Sequence, residues 1–334
     1  MSKWFALAVF ALIVGSVPAA AQAPPPLKPV ARWALPGAPA GNFDHLAIDV
    51  TGHRLFATAE GGAVEVIDLR TGKLIHSITD LKKPHGILYR PDVNRLYVTD
   101  GIQGKLLIYD AKHYQQIGTV PLWIDADSVG YDPATHDLYI ESGGGDIHQA
   151  FSHFTTVNLD SDKQVADMTV DGDTLEAMHL ASTGPLIYFN VRSKNQVDLM
   201  DRNQHKILAA WPVHGATMNA PIALDTAHHR LFSGCRSGQM VVFDTATGKQ
   251  ILSYPIAKGA DDMVYDKAHH RVYVAADGFT DVFEQITPDN YREVPIKTAT
   301  MAKTALLVPS LHRYFVSVPK SATAGAEILV FQVN

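Results

Sequence analysis

A pattern that returns about every 40 residues constrains this chain more than any other feature. The stretch Leu46-Ala47-Ile48-Asp49, followed by His53-Arg54-Leu55-Phe56, reappears as Met263-Val264-Tyr265-Asp266 and His270-Arg271-Val272-Tyr273. The residue before the second apolar run serves as a marker and falls at Arg54, Arg95, Asp137, Pro185, Arg230, Arg271 and Arg313. The spacings are 41, 42, 48, 45, 41 and 42 residues, which makes seven copies. A unit of this size cannot bury its apolar faces alone, so the copies must stack on one another.

Each copy holds alternating or β-branched runs separated by turn residues, the signature of strands. In the fifth copy these runs are Ile222-Ala223-Leu224, Leu231-Phe232, Met240 to Phe243 and Ile251 to Ile256. The turn Asp244-Thr245-Ala246-Thr247-Gly248-Lys249 has a counterpart in the first copy, Asp68-Leu69-Arg70-Thr71-Gly72-Lys73. Four strands in each of seven repeats predict an all-β fold, a seven-bladed β-propeller over residues 30–334, which escapes exposed sheet edges by radial repetition. The seventh copy runs out at its third strand, Glu327 to Val333, while a spare strand, Val30 to Leu35, precedes the first copy. The N-terminal strand is therefore expected to complete the last blade and fasten the ring.

The first residues read as an export signal. Lys3 supplies a positive end, Trp4 to Val14 are apolar, and Ala19-Ala20-Ala21 offers small residues for cleavage after Ala21. The apolar run is eleven residues long, short of the roughly 20 needed to span a bilayer. The expected domains are a signal peptide over 1–21, a Pro-rich tether over 22–29 carrying Pro24-Pro25-Pro26 and Pro29, and the propeller. The destination is the periplasm or the exterior. Losing residues 1–21 removes only Lys3, so 27 Lys and Arg face 34 Asp and Glu and the mature net charge is −7. That balance argues against nucleic acid as a partner, since such binding needs a basic surface. Cys235 is the lone cysteine, which excludes an internal disulfide and a CxxC motif.

Leu96-Tyr97-Val98-Thr99-Asp100 and Val272-Tyr273-Val274-Ala275, together with the Asp-x-x-Thr-Gly-Lys turns, resemble the YVTN repeat of bacterial propellers. The mature chain is similar to the periplasmic YncE-like branch of that family. The resemblance implies a propeller and an exported location. Related propellers of the gluconolactonase and 6-phosphogluconolactonase types open cyclic esters, and virginiamycin B lyase uses a metal and a histidine. No motif specific to those enzymes is visible in this chain, so the resemblance leaves its function open.

In a propeller the innermost strands line a channel, and seven blades bring seven equivalent positions together at its mouth. The residues two before the first-strand apolar triplets are Asp44, His85, Asp127, Glu176, Ala220, Asp261 and Lys303, with His45 and Asp262 beside them. Five of these seven are carboxylate or imidazole. A second set follows the second strands: Glu60, Asp100, Ser142, Arg192, Arg236 and Asp277. So many acids around a narrow channel repel one another and attract a cation, calcium or magnesium by an oxygen-rich set or zinc where histidine joins.

Two functions are expected from this ring. The first is a monomer that binds a small molecule or a periplasmic protein on its polar channel face, using Glu60, Asp100, Arg192, Arg236, Asp277 and Lys303. The second is a lactonase or related hydrolase or lyase. There Asp44, Asp127, Glu176 and Asp261 hold a divalent metal that polarises a carbonyl, and His85 or His45 moves the proton. No membrane span remains after cleavage. The longest insertion, Glu141 to Phe154, carries Gly143-Gly144-Gly145, and Phe151 and Phe154 are candidates to cover the mouth as a lid, with His148 and His153 in reach of it. His53, His136, His229, His270 and His312 recur just before the marker and read as turn chemistry on the opposite face.

Overall fold

The computed structural model describes Met1 and residues 24–334; the expected signal peptide and cleavage site lie outside the described residues. The described residues form seven four-stranded antiparallel sheets, each built from strands consecutive in sequence except the last. The first blade contains Phe43–Asp49, Arg54–Ala59, Ala63–Asp68 and Leu74–Ile78, from the channel outward. Neighbouring innermost strands meet around a closed circle, the seventh blade's Thr304–Val308 lying against the first blade's Phe43–Asp49. The seven-bladed propeller expected from the repeat is the fold.

Closure follows the expected route. The N-terminal strand, Leu27–Ala34, pairs antiparallel with the seventh blade's third strand, Glu327–Val333. It starts three residues earlier than expected, because Leu27 is buried in the core and Leu27 to Pro29 pair with Val333 to Phe331. Residues 27–29, expected in the tether, therefore belong to this strand. At its near end Asn334 donates from its backbone N–H to the Pro26 carbonyl at 3.0 Å and from its side chain to the Pro25 carbonyl at 2.8 Å.

Apolar residues pack between blades rather than within them. Phe56, Val64 and Val66 of the first blade meet Leu96, Val98 and Leu107 of the second. Equivalent clusters fill every junction, including the one across the chain ends, where Leu55 and Ile67 meet Phe315 and Ile328. Each such side chain contributes about 1.5–3 kcal/mol when taken fully out of water, so the ring is stable only when complete.

The turns repeat as closely as the strands. His53, His136, His229, His270 and His312 all take left-handed backbone, with φ between +50° and +58°, just before the second strand. Their recurrence reflects a turn copied with the blade. The fourth blade departs from this. Its second strand starts at Leu186, and Pro185 occupies the turn position, accepting from Arg202 N–H as His53 accepts from Leu69 N–H. The marker there is Leu186 instead of Pro185, and with it each channel residue stands ten positions before its marker. Gly72 and Gly248 have φ of +69° and +70°, and a Cβ on them would run into the Trp33 and Trp211 indoles.

Candidate functional site: the channel mouth

Five of the seven innermost strands do not enter the channel as regular strands; those of the sixth and seventh blades do. Register shifts fall between Phe43 and Leu46, Pro84 and Ile87, Ala126 and Val129, Glu176 and Met178, and Asn219 and Ile222. A bulge of this kind turns extra side chains out of the sheet. That is how Asp44 and His45, His85, Asp127, Glu176 and Ala220 come to stand at the mouth. Side chains from the second strand of the preceding blade hold the bulges. The Thr58 hydroxyl lies 2.8 Å from the His85 carbonyl, the Thr99 hydroxyl 2.8 Å from the Asp127 carbonyl, and Asn190 donates to the Ala220 carbonyl at 2.7 Å.

All of these channel residues except the buried Ala220 line a polar cavity of about 260 Å³. Of the expected residues, Asp44, His45, Glu60, His85, Asp127, Glu176, Arg192, Arg236, Asp261 and Lys303 all face it. Asp100 does not line it. It is fully buried as the last residue of its strand, and its oxygens accept from the backbone of Lys82, Lys83 and Gln103. The expected second set mixed strand-end positions with loop positions. Asp277 lies in a neighbouring shallow cavity of about 340 Å³ with Lys258 and Met301, and it accepts from the Met301 N–H at 2.6 Å.

The mouth has two unlike halves. From the fourth blade to the seventh, charges alternate and pair. Arg192 donates to Glu176, and Arg236 donates to Glu176 at 3.1 Å and to Asp261, which also takes Lys303 at 2.6 Å. Burial pushes Glu176 up to about 7 against the pull of Arg236 and Arg192, so pairing offsets its desolvation rather than exceeding it. Glu176 and Asp261 are therefore engaged by cations and do not converge with Asp44 and Asp127 into the four-carboxylate metal cage that the sequence suggested.

From the first blade to the third, acids gather around two imidazoles. His85 Nδ1 meets Asp44 Oδ2 at 2.5 Å and stands 3.9 Å from Asp127; His45 lies 3.5 Å from Asp44 and 3.8 Å from Asp262. Burial opposes charge on both rings, but Asp44 and Asp262 carry His45 up to about 9, and Asp127 and Asp44 carry His85 up to about 10. Both are therefore imidazolium cations at neutral pH, which disfavours either as a general base. Burial also opposes the Asp44 charge, yet His45, His85 and Lys303 hold its carboxyl well below the usual range. Burial, only partly offset by His85, pushes Asp127 up to about 6, and the Asp44 charge adds to this. Ligand atoms of Asp44, His45 and Asp127, and those of Asp44, Glu60 and His85, lie within 4.8 Å of one another.

Three charged lining residues were not anticipated: Lys83, Asp125 and Asp146. Asp125 and Lys83 each stand two positions before a channel residue, a spacing that returns side chains to the same side of an extended chain and could have revealed them. Asp146 comes from the third-blade insertion. That insertion is no aromatic lid. Phe154 is core, packed against Tyr139 and Phe189, and His153 is a strand residue whose Nδ1 bonds Asp167 at 3.0 Å. Glu141 was also missed as a chemical group. It occupies the position of Thr58, Thr99 and Asn190 in the third blade, is 1% exposed, and among the described residues neither of its oxygens meets a donor. Burial and the nearby Asp127 and Glu176 push its carboxyl well above the ordinary value. Cys235 is buried, which pushes its thiol up to about 12 and removes it as a nucleophile.

Fold and site thus define a seven-bladed β-propeller with a charged channel mouth. No family model matches the chain. Over 99 residues it is 35% identical to the uncharacterized protein YncE of Salmonella typhi, and 29% identical to that of Salmonella typhimurium. The match covers 29% of this chain and 28% of each relative, so the chain matches less than a third of their length. Among solved structures, U3-55K superposes with a TM-score of 0.76 at 13% identity, covering 91% of this chain and all of that one. The RRP9 WD40 repeats superpose at 0.78 with 12% identity, covering 92% of this chain and all of that one. Hydrazine synthase of Kuenenia stuttgartiensis gives 0.74 and 13%, covering 88% and 97%. Identities this low establish the fold alone. Among the described residues no helix is long and apolar enough to cross a membrane.

Proposed function

We propose that this protein is an exported propeller of the YncE-like kind that binds a small polar ligand in its channel mouth without chemistry of its own. One observation carries the reading: four bulged strands turn charged and polar side chains into a single cavity of about 260 Å³, the size of a small molecule. The mouth is built at a cost, since bulges interrupt pairing and like charges are held together. Such costs are typical of binding sites. Export follows from the N-terminal pattern Lys3, Trp4 to Val14 and Ala19-Ala20-Ala21.

The second reading, a divalent-metal hydrolase or lyase, is favoured by one specific feature, the close approach of Asp44, His45 and Asp127 and of Asp44, Glu60 and His85. Both groups share Asp44, whose Oδ2 already meets His85. A metal there must displace that bond.

One experiment separates them. The chain purified from residue 22 is assayed for bound metal by mass spectrometry, and its melting temperature is measured with and without chelator. The binding reading expects no stoichiometric metal, no change on chelation, and a rise in melting temperature with at least one compound of a small polar library. A stoichiometric calcium, magnesium or zinc ion whose removal lowers the melting temperature overturns it and directs work to a lactone and ester screen.

A further inference from the structure

Marker arginines start the second strand in five blades, and four of them face an acid across the ladder. Asp68 stands opposite Arg54, Asp110 opposite Arg95, Asp244 opposite Arg230 and Glu284 opposite Arg271. Arg313 has the neutral Gln332 in that place. On its other side Val308 replaces the Asp49, Asp225 and Asp266 that flank Arg54, Arg230 and Arg271. The first four arginines each make an ion pair, to Asp49, Asp162, Asp244 and Glu284, at 2.6 to 3.2 Å. Arg313 makes none among the described residues. Its Nη1 donates to the His312 carbonyl at 3.1 Å and to the Gln332 side chain, and its Nε and Nη2 meet no acceptor there. The seventh blade thus keeps the repeated cation without either of its neutralising partners.

That unpaired guanidinium borders a cavity of about 230 Å³ at the seam where the first and seventh blades close the ring. The floor is apolar: Trp33 from the N-terminal strand, Leu69 from the first blade, and Leu311, Phe315 and Val330 from the seventh. The Trp33 and Phe315 rings lie 5.6 Å apart at 40°. The indole is fixed, because it fills the space that a Cβ on Gly72 would need. At the rim stand His53 and Arg70, the latter engaged by Asp68 at 3.2 Å. Among the described residues no carboxylate lines the cavity. It lies at the far end of the blades from the mouth, since Phe43–Asp49 leads away from the mouth toward the turn of His53.

We infer that the seam holds a second ligand site, for an organic anion whose carboxylate meets Arg313 and whose flat apolar body lies against Trp33 and Phe315. An apolar cavity with few, oriented polar groups is the usual form of a small-molecule site. A guanidinium with Nε and Nη2 both open presents two parallel N–H groups, the geometry that takes a carboxylate by both oxygens. A cation meets like charge from Arg313 and Arg70. A bare inorganic anion leaves the aromatic walls unused. An occupant touches Leu69 of the first blade and Val330 of the seventh, so it bridges the two blades that close the ring and stabilises the folded state.

The test uses the chain from residue 22 and three probes of one shape: 3-phenylpropionate, its neutral amide and the cationic 3-phenylpropylamine. Binding is read by titration calorimetry and tryptophan fluorescence, with the melting temperature measured beside them. The propionate is expected to bind, change the fluorescence and raise the melting temperature, with the amide and the amine each about tenfold weaker or worse. Arg313→Gln should weaken the propionate about tenfold. Gln332→Glu keeps the arginine and restores the carboxylate that four other blades carry. It should weaken the propionate as much, at unchanged fold checked by circular dichroism. The proposal is overturned if the propionate fails to bind at about 10 mM, or if the amide or the amine binds as well. It is also overturned if either folded variant binds the propionate as tightly as the unaltered chain, which would place that binding elsewhere, the mouth included.

Discussion

The two halves of the channel mouth are built from equivalent positions of the repeated blade and end in opposite electrostatic states. On one side Glu176, Arg192, Arg236, Asp261 and Lys303 alternate in sign and satisfy one another. On the other, Asp44 is shared between two imidazoliums. Beside it Asp127 has only His85 at 3.9 Å, and Asp125 and Asp146 have no ion-pair partner among the described residues. A chain of alternating charges rigidifies a wall, because each group is held from both sides. A group of like charges stores free energy that a ligand of opposite sign releases. The comparison teaches that one charged cavity need not be electrostatically uniform: the paired wall is satisfied, and the unpaired wall is not.

The widest effect expected is a dependence of stability on pH carried by the imidazoles. His85 and His45 rise from an ordinary 6.5 to about 10 and about 9 in the folded protein. Their contribution is therefore full below pH 6.5 and is lost as pH climbs through those values. At about 1.4 kcal/mol for each tenfold gain in proton affinity on folding, the two shifts together amount to about 8 kcal/mol. Urea denaturation between pH 6 and 10 should show this loss, and Asp44→Asn should shrink it. An equal alkaline loss in the variant would remove Asp44 from the account.

Next in size is the paired wall. Arg236→Ala leaves Glu176 with one cation and Asp261 with Lys303 alone, and should cost about 2–3 kcal/mol of unfolding free energy. A cost below about 0.5 kcal/mol would mean that the wall is not held by its pairs.

The smallest effect carries the opposite sign. Asp127 rises from 3.8 to about 6, so its neutral form is favoured in the folded state and its contribution is lost as pH rises through 6. Asp127→Asn should then stabilise the protein at pH 7, with the gain disappearing near pH 4. A substitution that stabilises the fold is the mark of a residue kept for something other than stability. Destabilisation at pH 7 would break the contrast between the halves.

Much of the architecture was legible from the chain alone because it is repeated. Leu46-Ala47-Ile48 and Met263-Val264-Tyr265 bury corresponding faces in corresponding junctions, and the strand run before the first copy matches a strand missing from the last. The fourth blade was misread by one position because Pro185 replaces the left-handed histidine turn, leaving no residue-type signal for the marker. Reading position along a strand was enough for Asp44, His85 and Lys303, which lie ten residues before their markers. It failed for Asp100 and Asp277, where one or two residues decide between a buried strand end, a loop and the channel. It also could not tell that Glu176 and Asp261 face cations while Asp127 does not.

The amino-acid sequence by itself determined the number of blades, the strands in each, the splice that closes the ring and the identity of most residues at the mouth. Hydrophobic periodicity and turn chemistry are local, and duplication wrote them seven times. Tertiary structure alone decided which of those residues pair. Partners such as Arg236 and Glu176 are 60 positions apart, and Asp44 and His85 are 41 apart. Their distances depend on how the bulges aim each side chain across the channel. Electrostatic energy falls with distance and rises with burial, quantities that exist only once the ring has closed.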